Sequence, residues 1–319
     1  MKRITLGRTG LSVCPIALGS VNYGLPPTRR GQAVTQMDHY LELGGNFLDT
    51  AHVYNDWEPG EISRSEKIIG QYFTDRDNRA QWVLSTKGAH PDMQGGKPNR
   101  LDPDSIREDL QGSLRNLQTR YIDLYFLHRD DPSVPVGEIL QVLEDAKAAG
   151  DIRHYGCSNW TLPRLEEAQA YAQQRGWSGF AVNQIQWSLA RLNVRNMQDK
   201  TLEALTPPYY DWHVQTGMAL MAYTALAKGY FTKRLRGDPG AARLATLYEN
   251  SENDRIAAVL KEYAEKTGAN ATEAALRWFF GRPFAAVPVV SCSTPEQLEQ
   301  VMGALRDDLP PLPQGLPEA

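Results

Sequence analysis

The sequence predicts an α/β fold: a (β/α)8 TIM barrel with an N-terminal β-hairpin. Three observations carry this expectation. Eight short apolar runs alternate with longer amphipathic ones along the 319 residues. Several of the short runs are apolar throughout rather than alternating, as strands covered on both faces should be. A doubly wound open sheet usually shows a glycine fingerprint after its first strand, and GSVNYG at 19–24 lacks the G-x-G-x-x-G spacing.

The expected strands are residues 13–18, 46–49, 82–87, 122–128, 152–157, 181–184, 219–223 and 286–290. The segment before Val13 reads as a short hairpin turning near Arg8 to Gly10. Helices fill the gaps. Asp102 and Pro103 make a cap and first turn for a helix in which Ile106, Leu110, Leu114 and Leu117 share a face. Ile139, Leu143 and Ala146 repeat that spacing up to Gly150, placed as a C-terminal cap. Thr161 opens the helix carrying Leu165 and Ala168, and Thr294 with Pro295 opens a last helix through Leu298 and Met302. Tyr209, Tyr210 and Trp212 belong to a helix packing on the barrel. Strand–helix alternation of this kind implies parallel strands joined by right-handed crossovers. A single domain is expected over 1–319, its tail peripheral from about 307 and loose from Pro310 onward.

Apolar residues make up 41% of the chain, enough for a large core, and the net charge of −4 offers no basic field for nucleic acid or an anionic membrane. No run is long enough to span a bilayer, and no apolar signal core follows residues 1–8. Cys14, Cys157 and Cys292 lack zinc-type pairing and are expected to be buried, reduced thiols of a cytoplasmic protein. No feature speaks to oligomeric state. The expected partner is a small molecule.

In a barrel, polar residues at the carboxyl ends of strands face the active site. Three runs end in an ionisable residue, Asp49, Lys87 and His128, and Tyr54 lies five residues beyond Asp49. Singly, Asp49 and Lys87 would suit a structural ion pair, Tyr54 a packing role and His128 a satisfied core position. Their joint placement at successive strand ends favours chemistry. A phenol has a pKa of about 10, which a nearby ammonium lowers. Lys87 is expected to supply that field, held in place by Asp49. Tyr54 then gives or takes a proton at a carbonyl oxygen, and a neutral His128 orients that carbonyl. No metal or nucleophile is required. The missing hydride must come from a cofactor.

These motifs resemble the aldo-keto reductase superfamily over nearly the whole chain. The match runs through LGRTGLSV (6–13), GGNFLDTAHVY (44–54), STKGAH (85–90), DLYFLHRDD (123–131), GCSNW (156–160), VNQIQWSL (182–189), AYTALAKGYF (222–231) and VPVVSCSTPEQLE (287–299). The resemblance implies an Asp49–Tyr54–Lys87–His128 tetrad and a nicotinamide dinucleotide, NADP or NAD, extended across the barrel mouth. It places Ser158, Asn159 and Gln184 on the carboxamide and Tyr223 on the nicotinamide ring. Thr224, Ala225, Leu226, Lys228 and Gly229 would follow the pyrophosphate. Ser291, Ser293 and Gln297 would meet the adenosine end, near a helix amino terminus that favours phosphate. Ser291 and Gln297 stand where many NADPH-preferring members carry Lys and Arg, and Val301 where Asn is frequent, which removes obvious partners for a 2′-phosphate. Thr224-Ala225 replaces the usual Ser-Pro.

The expected activity is reversible hydride transfer between the nicotinamide and a small carbonyl or hydroxyl compound. Tyr23, Trp57, His90, Arg129 and Trp160 are the candidate substrate contacts. The run Arg129-Asp130-Asp131 tilts the expectation towards a sugar, polyol or hydroxy-carbonyl, against the plainer reading of a solvated loop. Trp57, Trp160 and Trp187 suit sugars and aromatic ketones equally, and His52 is expected to face away. The main alternative is a cofactor-binding regulatory subunit without significant turnover, which potassium-channel β subunits of this family exemplify. A metal-dependent hydrolase using Asp49, His52 and His128 lacks a His-x-His pair on the first strand. A Schiff-base lyase using Lys87 is a further outsider.

Overall fold

The computed structural model describes residues 2–93, 96–97 and 99–318. A two-stranded antiparallel hairpin comes first, β1 (Ile4–Thr5) against β2 (Ser12–Val13). Eight parallel strands then close into a barrel: β3 (Ala17–Gly19), β4 (Phe47–Asp49), β5 (Val83–Gly88), β6 (Ile122–Leu127), β7 (Ile152–Ser158), β8 (Val182–Gln186), β9 (Ala219–Tyr223) and β10 (Ala286–Val290). Each pairs with its successor, and β10 returns to β3. The crossovers carry α1 (Arg30–Glu42), α2 (Arg64–Arg76), α3 (Pro103–Asn116), α4 (Val136–Ala149), α5 (Leu162–Arg175) and α6 (Pro207–Thr216). After β9 come α7 (Tyr230–Leu235), α8 (Ala245–Tyr248), α9 (Ser251–Thr267) and α10 (Ala271–Arg277), and after β10 comes α11 (Pro295–Gly303).

The eight expected strands are all present, but the first is divided. Residues 13–18 read as one run, whereas Val13 ends the hairpin and the barrel strand starts at Ala17. Pro15 has no N–H to offer a ladder. The Asn46 side chain substitutes for pairing there, accepting from the Cys14 amide at 2.7 Å and donating to Ser12 O at 3.0 Å. Leu6 and Val13 are fully buried in one cluster with Phe47, Leu124, Phe126, Ala219 and Val287. The hairpin therefore stoppers the amino end of the barrel and leaves the carboxyl end for ligands.

Local signals act as expected. The Asp102 side chain accepts from the Ser105 amide with Pro103 in the first turn of α3, and Gly150 closes α4 with a φ of 83°. Gly70 on α2 lies so close to the end of α3 that an added Cβ would sit 2.1 Å from Asn116 O. No helix among the described residues is long and apolar enough to cross a membrane.

The tail is tied down rather than loose. Arg277 donates to Ala304 O and Arg306 O, each at 3.1 Å, and to Leu309 O at 2.6 Å. Tyr263 and Trp278 hold Pro310 O and Pro317 O, each at 2.6 Å. Leu309 is buried, and Leu312 and Leu316 pack on the core. Prolines contribute carbonyls without N–H groups, so this segment is an acceptor strip read by donors on α9 and α10. Replacing Arg277 by Met is expected to cost about 1–3 kcal/mol of unfolding free energy, because buried acceptors lose their donor. Amide exchange at residues 312–316 should accelerate. Unchanged urea unfolding and unchanged exchange would show that the leucines alone hold the tail.

Candidate active site

Asp49 ends β4, Lys87 is the penultimate residue of β5 and His128 directly follows β6, so parallel pairing brings all three to the carboxyl mouth. Tyr54 arrives on the turn after β4. Thr50 and His52 amides continue the ladder onto Ser85 O and Lys87 O at 2.9 Å, and the Tyr54 amide closes onto Ala51 O at 3.1 Å. Asn55 stands at a φ of 77° and donates to Tyr23 O, fixing the far side of the turn.

Lys87 Nζ donates to Asp49 Oδ2 at 2.6 Å, Thr50 O at 2.8 Å and Tyr54 Oη at 3.2 Å. An ammonium has three N–H bonds, so all are engaged. The phenol oxygen accepts, and its own hydrogen is left to point elsewhere. Asp49 Oδ1 takes Ser85 Oγ at 2.8 Å and Gln184 Nε2 at 3.0 Å. The His128 ring meets Tyr54 edge-on with centroids 6.0 Å apart, and its Nδ1 has no hydrogen-bond partner among the described residues.

Burial sets the protonation states. It opposes the Lys87 ammonium, but Asp49 and the phenol outweigh it and hold the amine above its ordinary range. Burial together with His90, Arg129 and Lys87 drives His128 well below the usual histidine range, so the imidazole is neutral at pH 7. For Tyr54 the expected depression does not result. Burial raises the phenol pKa more than Lys87 lowers it, and the net shift is upward. The group is a protonated acid at neutral pH, not a phenolate.

A cavity of about 240 Å³ lies over this cluster, lined by Tyr54, His128, Arg129, Ser158, Asn159, Gln184, Tyr223, Thr224 and Ser291 among others. A second space of about 740 Å³ shares Val21, Thr224, Val289 and Ser291 with it and continues along Ala225, Leu226, Lys228, Gly229 and Gln297. The two form one groove running from the tetrad to the amino end of α11. Ser293 is not among the lining residues; its amide donates to Gln297 Oε1 at 2.8 Å. Asn159 is committed to the scaffold: it donates to His128 O and Ser158 Oγ and accepts from the Glu203 amide and the Tyr223 hydroxyl. Gln184 has spent an N–H on Asp49, leaving its carbonyl oxygen for a ligand.

The groove suits an extended dinucleotide. Thr224, Ala227 and Lys228 all adopt left-handed φ values between 48° and 56°. Such strained non-glycine conformations gather at ligand clamps. Lys228, Lys233 and Arg236 line this space with a single acid, Asp238, a positive stretch in a chain of net charge −4. Sequence reasoning missed Lys233, Arg236, Thr232 and Gln300. The basic run 233–236 was the available signal for the first two.

The expected substrate contacts divide. Arg129 is in the cavity, His90 packs against His128 with ring centroids 4.7 Å apart, and Trp57 is 43% exposed and edge-on to Tyr54. Tyr23 and Trp160 are corrections. Both are fully buried: the Tyr23 hydroxyl donates to Gln36 Oε1 at 3.0 Å, and Trp160 Nε1 donates to Arg129 O at 3.2 Å while the ring packs on Phe180. Each ring does more by filling the core than by facing a ligand. Trp187 is likewise buried, against Trp278 and Phe279. Asp130 turns to Arg164, and Asp131 accepts from Ser133, so neither acid reaches the cavity. His52 pairs at 3.1 Å with the fully buried Glu66, which also takes Thr86 Oγ and Asn116 Nδ2. That arrangement turns His52 away from Asp49 and His128 and denies a metal-hydrolase reading its ligand set. All three cysteines are buried thiols.

Fold and site together define a barrel oxidoreductase. The model of the Aldo/keto reductase family matches residues 15–311, and the chain belongs to this family. It is similar to a Bacillus subtilis (strain 168) protein named "Uncharacterized oxidoreductase YrpG", at 31% identity over 97% of this chain and 92% of that one. Norsolorinic acid reductase stcV of Emericella nidulans is 30% identical over 96% of this chain and 78% of its own length. The aryl-alcohol dehydrogenase [NADP(+)] of Phanerodontia chrysosporium is 25% identical over 95% of this chain and 81% of its own. The chain is accordingly an NAD(P)-dependent oxidoreductase.

Proposed function

We propose that this chain catalyses reversible reduction of an aryl or related small carbonyl, with Tyr54 as the general acid. The observation that carries the reading is the arrangement of protons at the phenol. Lys87 has spent all three N–H bonds, one of them on the phenol oxygen, so the Tyr54 proton is free towards the cavity. A nicotinamide held in this groove would supply the hydride. Tyr54 delivers its proton to the carbonyl oxygen as negative charge develops there. Lys87 compensates the charge left on the phenol oxygen, and Asp49 keeps Lys87 cationic and fixed. His128, neutral, directs an N–H towards the same oxygen. In the reverse direction Tyr54 accepts the alcohol proton.

Gln184, Ser158 and Tyr223 would hold the nicotinamide end. The strap of Thr224 to Gly229 would hold the phosphates, with Lys228, Lys233 and Arg236 beside it, and Ser291 and Gln297 would take the adenosine end. Aryl carbonyls are favoured over sugars on two grounds. Asp130 and Asp131 turn away from the cavity, and one similar protein is named an aryl-alcohol dehydrogenase.

The test is label transfer. NADPH deuterated at C4, incubated with benzaldehyde and the protein, should yield benzyl alcohol carrying deuterium at the carbinol carbon. Absence of turnover with benzaldehyde and with aliphatic aldehydes would remove the reductase reading.

A further inference from the structure

We propose that Arg129 makes this site selective for carbonyl compounds that also carry a carboxylate, held by the guanidinium while Tyr54 serves the reacting oxygen. The inference rests on the reductase reading above and adds a substrate class to it. Arg129 lines the same 240 Å³ cavity as Tyr54 and His128, with its side chain 13% exposed. Two contacts fix it: Nη1 donates to His128 O at 2.9 Å and Nε to Thr201 Oγ at 3.0 Å. Nη2 reaches Asp199 Oδ2 only at 3.5 Å, the outer limit of a hydrogen bond. A guanidinium has five N–H bonds in a planar fork. Those three contacts leave one hydrogen on each terminal nitrogen, the pair that a carboxylate takes bidentately.

The charge balance points the same way. Asp49 and Arg129 are the charged residues among those lining this cavity, and Asp49 is neutralised by Lys87 at 2.6 Å. Arg129's nearest acid, Asp199, has a side chain 47% exposed and is screened by water. The guanidinium is thus the charge at the mouth whose acid partner is long-range and half in solvent. Its field is felt at Tyr54, His128, His90 and Tyr223. A purely structural role, latching the segment of Asp199 to Leu202 over the site, accounts for the Thr201 and His128 contacts. It leaves the two terminal hydrogens without use.

The experiment compares 4-carboxybenzaldehyde with its neutral methyl ester in the wild type, Arg129→Gln and Arg129→Lys. The wild type should prefer the acid in kcat/KM by about tenfold or more at low salt, the scale of one charge-assisted pair, and added salt should narrow the gap. Arg129→Gln should bring the ratio near one, chiefly by raising KM for the acid, and Arg129→Lys should restore part of it. Equal preference in the wild type overturns the proposal. So does a fall in Arg129→Gln that is the same for acid and ester, which is the signature of the latch alone. Equilibrium binding of 4-(hydroxymethyl)benzoate against its methyl ester separates the two readings. If neither aldehyde turns over, the reductase reading fails, yet Arg129-dependent preference for the anion still supports this inference. Lack of that preference overturns it.

Discussion

Tyr54→Phe should lose roughly 10²- to 10⁴-fold in turnover, the range for a removed acid–base group, while NADPH affinity stays within about twofold. The phenol hydroxyl is the one proton source that the tetrad leaves uncommitted, because Lys87 is saturated and His128 is neutral. The Phe ring preserves the packing against Trp57 and His128. The pH profile gives a second check. Since the Tyr54 pKa lies above its usual value of 10.0, wild-type reduction should hold steady through neutral pH. It should decline only as pH rises through that raised pKa, because the acid form is the active one. Alcohol oxidation should climb with pH over the same range. Near-normal turnover in the mutant, measured by single-turnover NADPH oxidation, would refute the assigned proton donor.

Lys87→Met should combine the largest loss of stability with a loss of turnover at least as deep. The Lys87 and Asp49 side chains are 1% and 2% exposed. Removing one partner of such a pair costs about 3–5 kcal/mol because the other charge stays buried and uncompensated. Ser85 and Gln184 would be the remaining donors to Asp49. The double variant Asp49→Asn with Lys87→Met removes both charges and should regain much of that stability without regaining turnover. Urea unfolding of the three proteins checks this. A single mutant as stable as the wild type would mean that Asp49 is satisfied without its ammonium.

The barrel was legible because buried parallel strands leave continuous apolar runs, and the convergence of Asp49, Lys87 and His128 because strand-end positions are fixed by topology. What escaped depends on partners distant in sequence. The break between Val13 and Ala17 is made by Asn46, 32 residues from Cys14. The tail looked loose because its prolines lack donors, but donors on α9 and α10 supply them. Tyr23 and Trp160 sit beside recognisable motifs, and whether a ring faces the mouth or the core is decided by packing. Glu66 is enclosed by His52, Thr86 and Asn116, and no sequence signal singles it out. The sign of the Tyr54 shift turned on desolvation, which residue spacing does not reveal.

The stoppered amino end has a bearing on traffic. Leu6 and Val13 share one buried cluster with Phe47 and Phe126, so among the described residues the amino end of the barrel is filled by side chains. In the proposed reading, dinucleotide, reactant and product would share one doorway at the opposite rim, and whatever lay nearer the opening would have to depart before anything deeper could be exchanged.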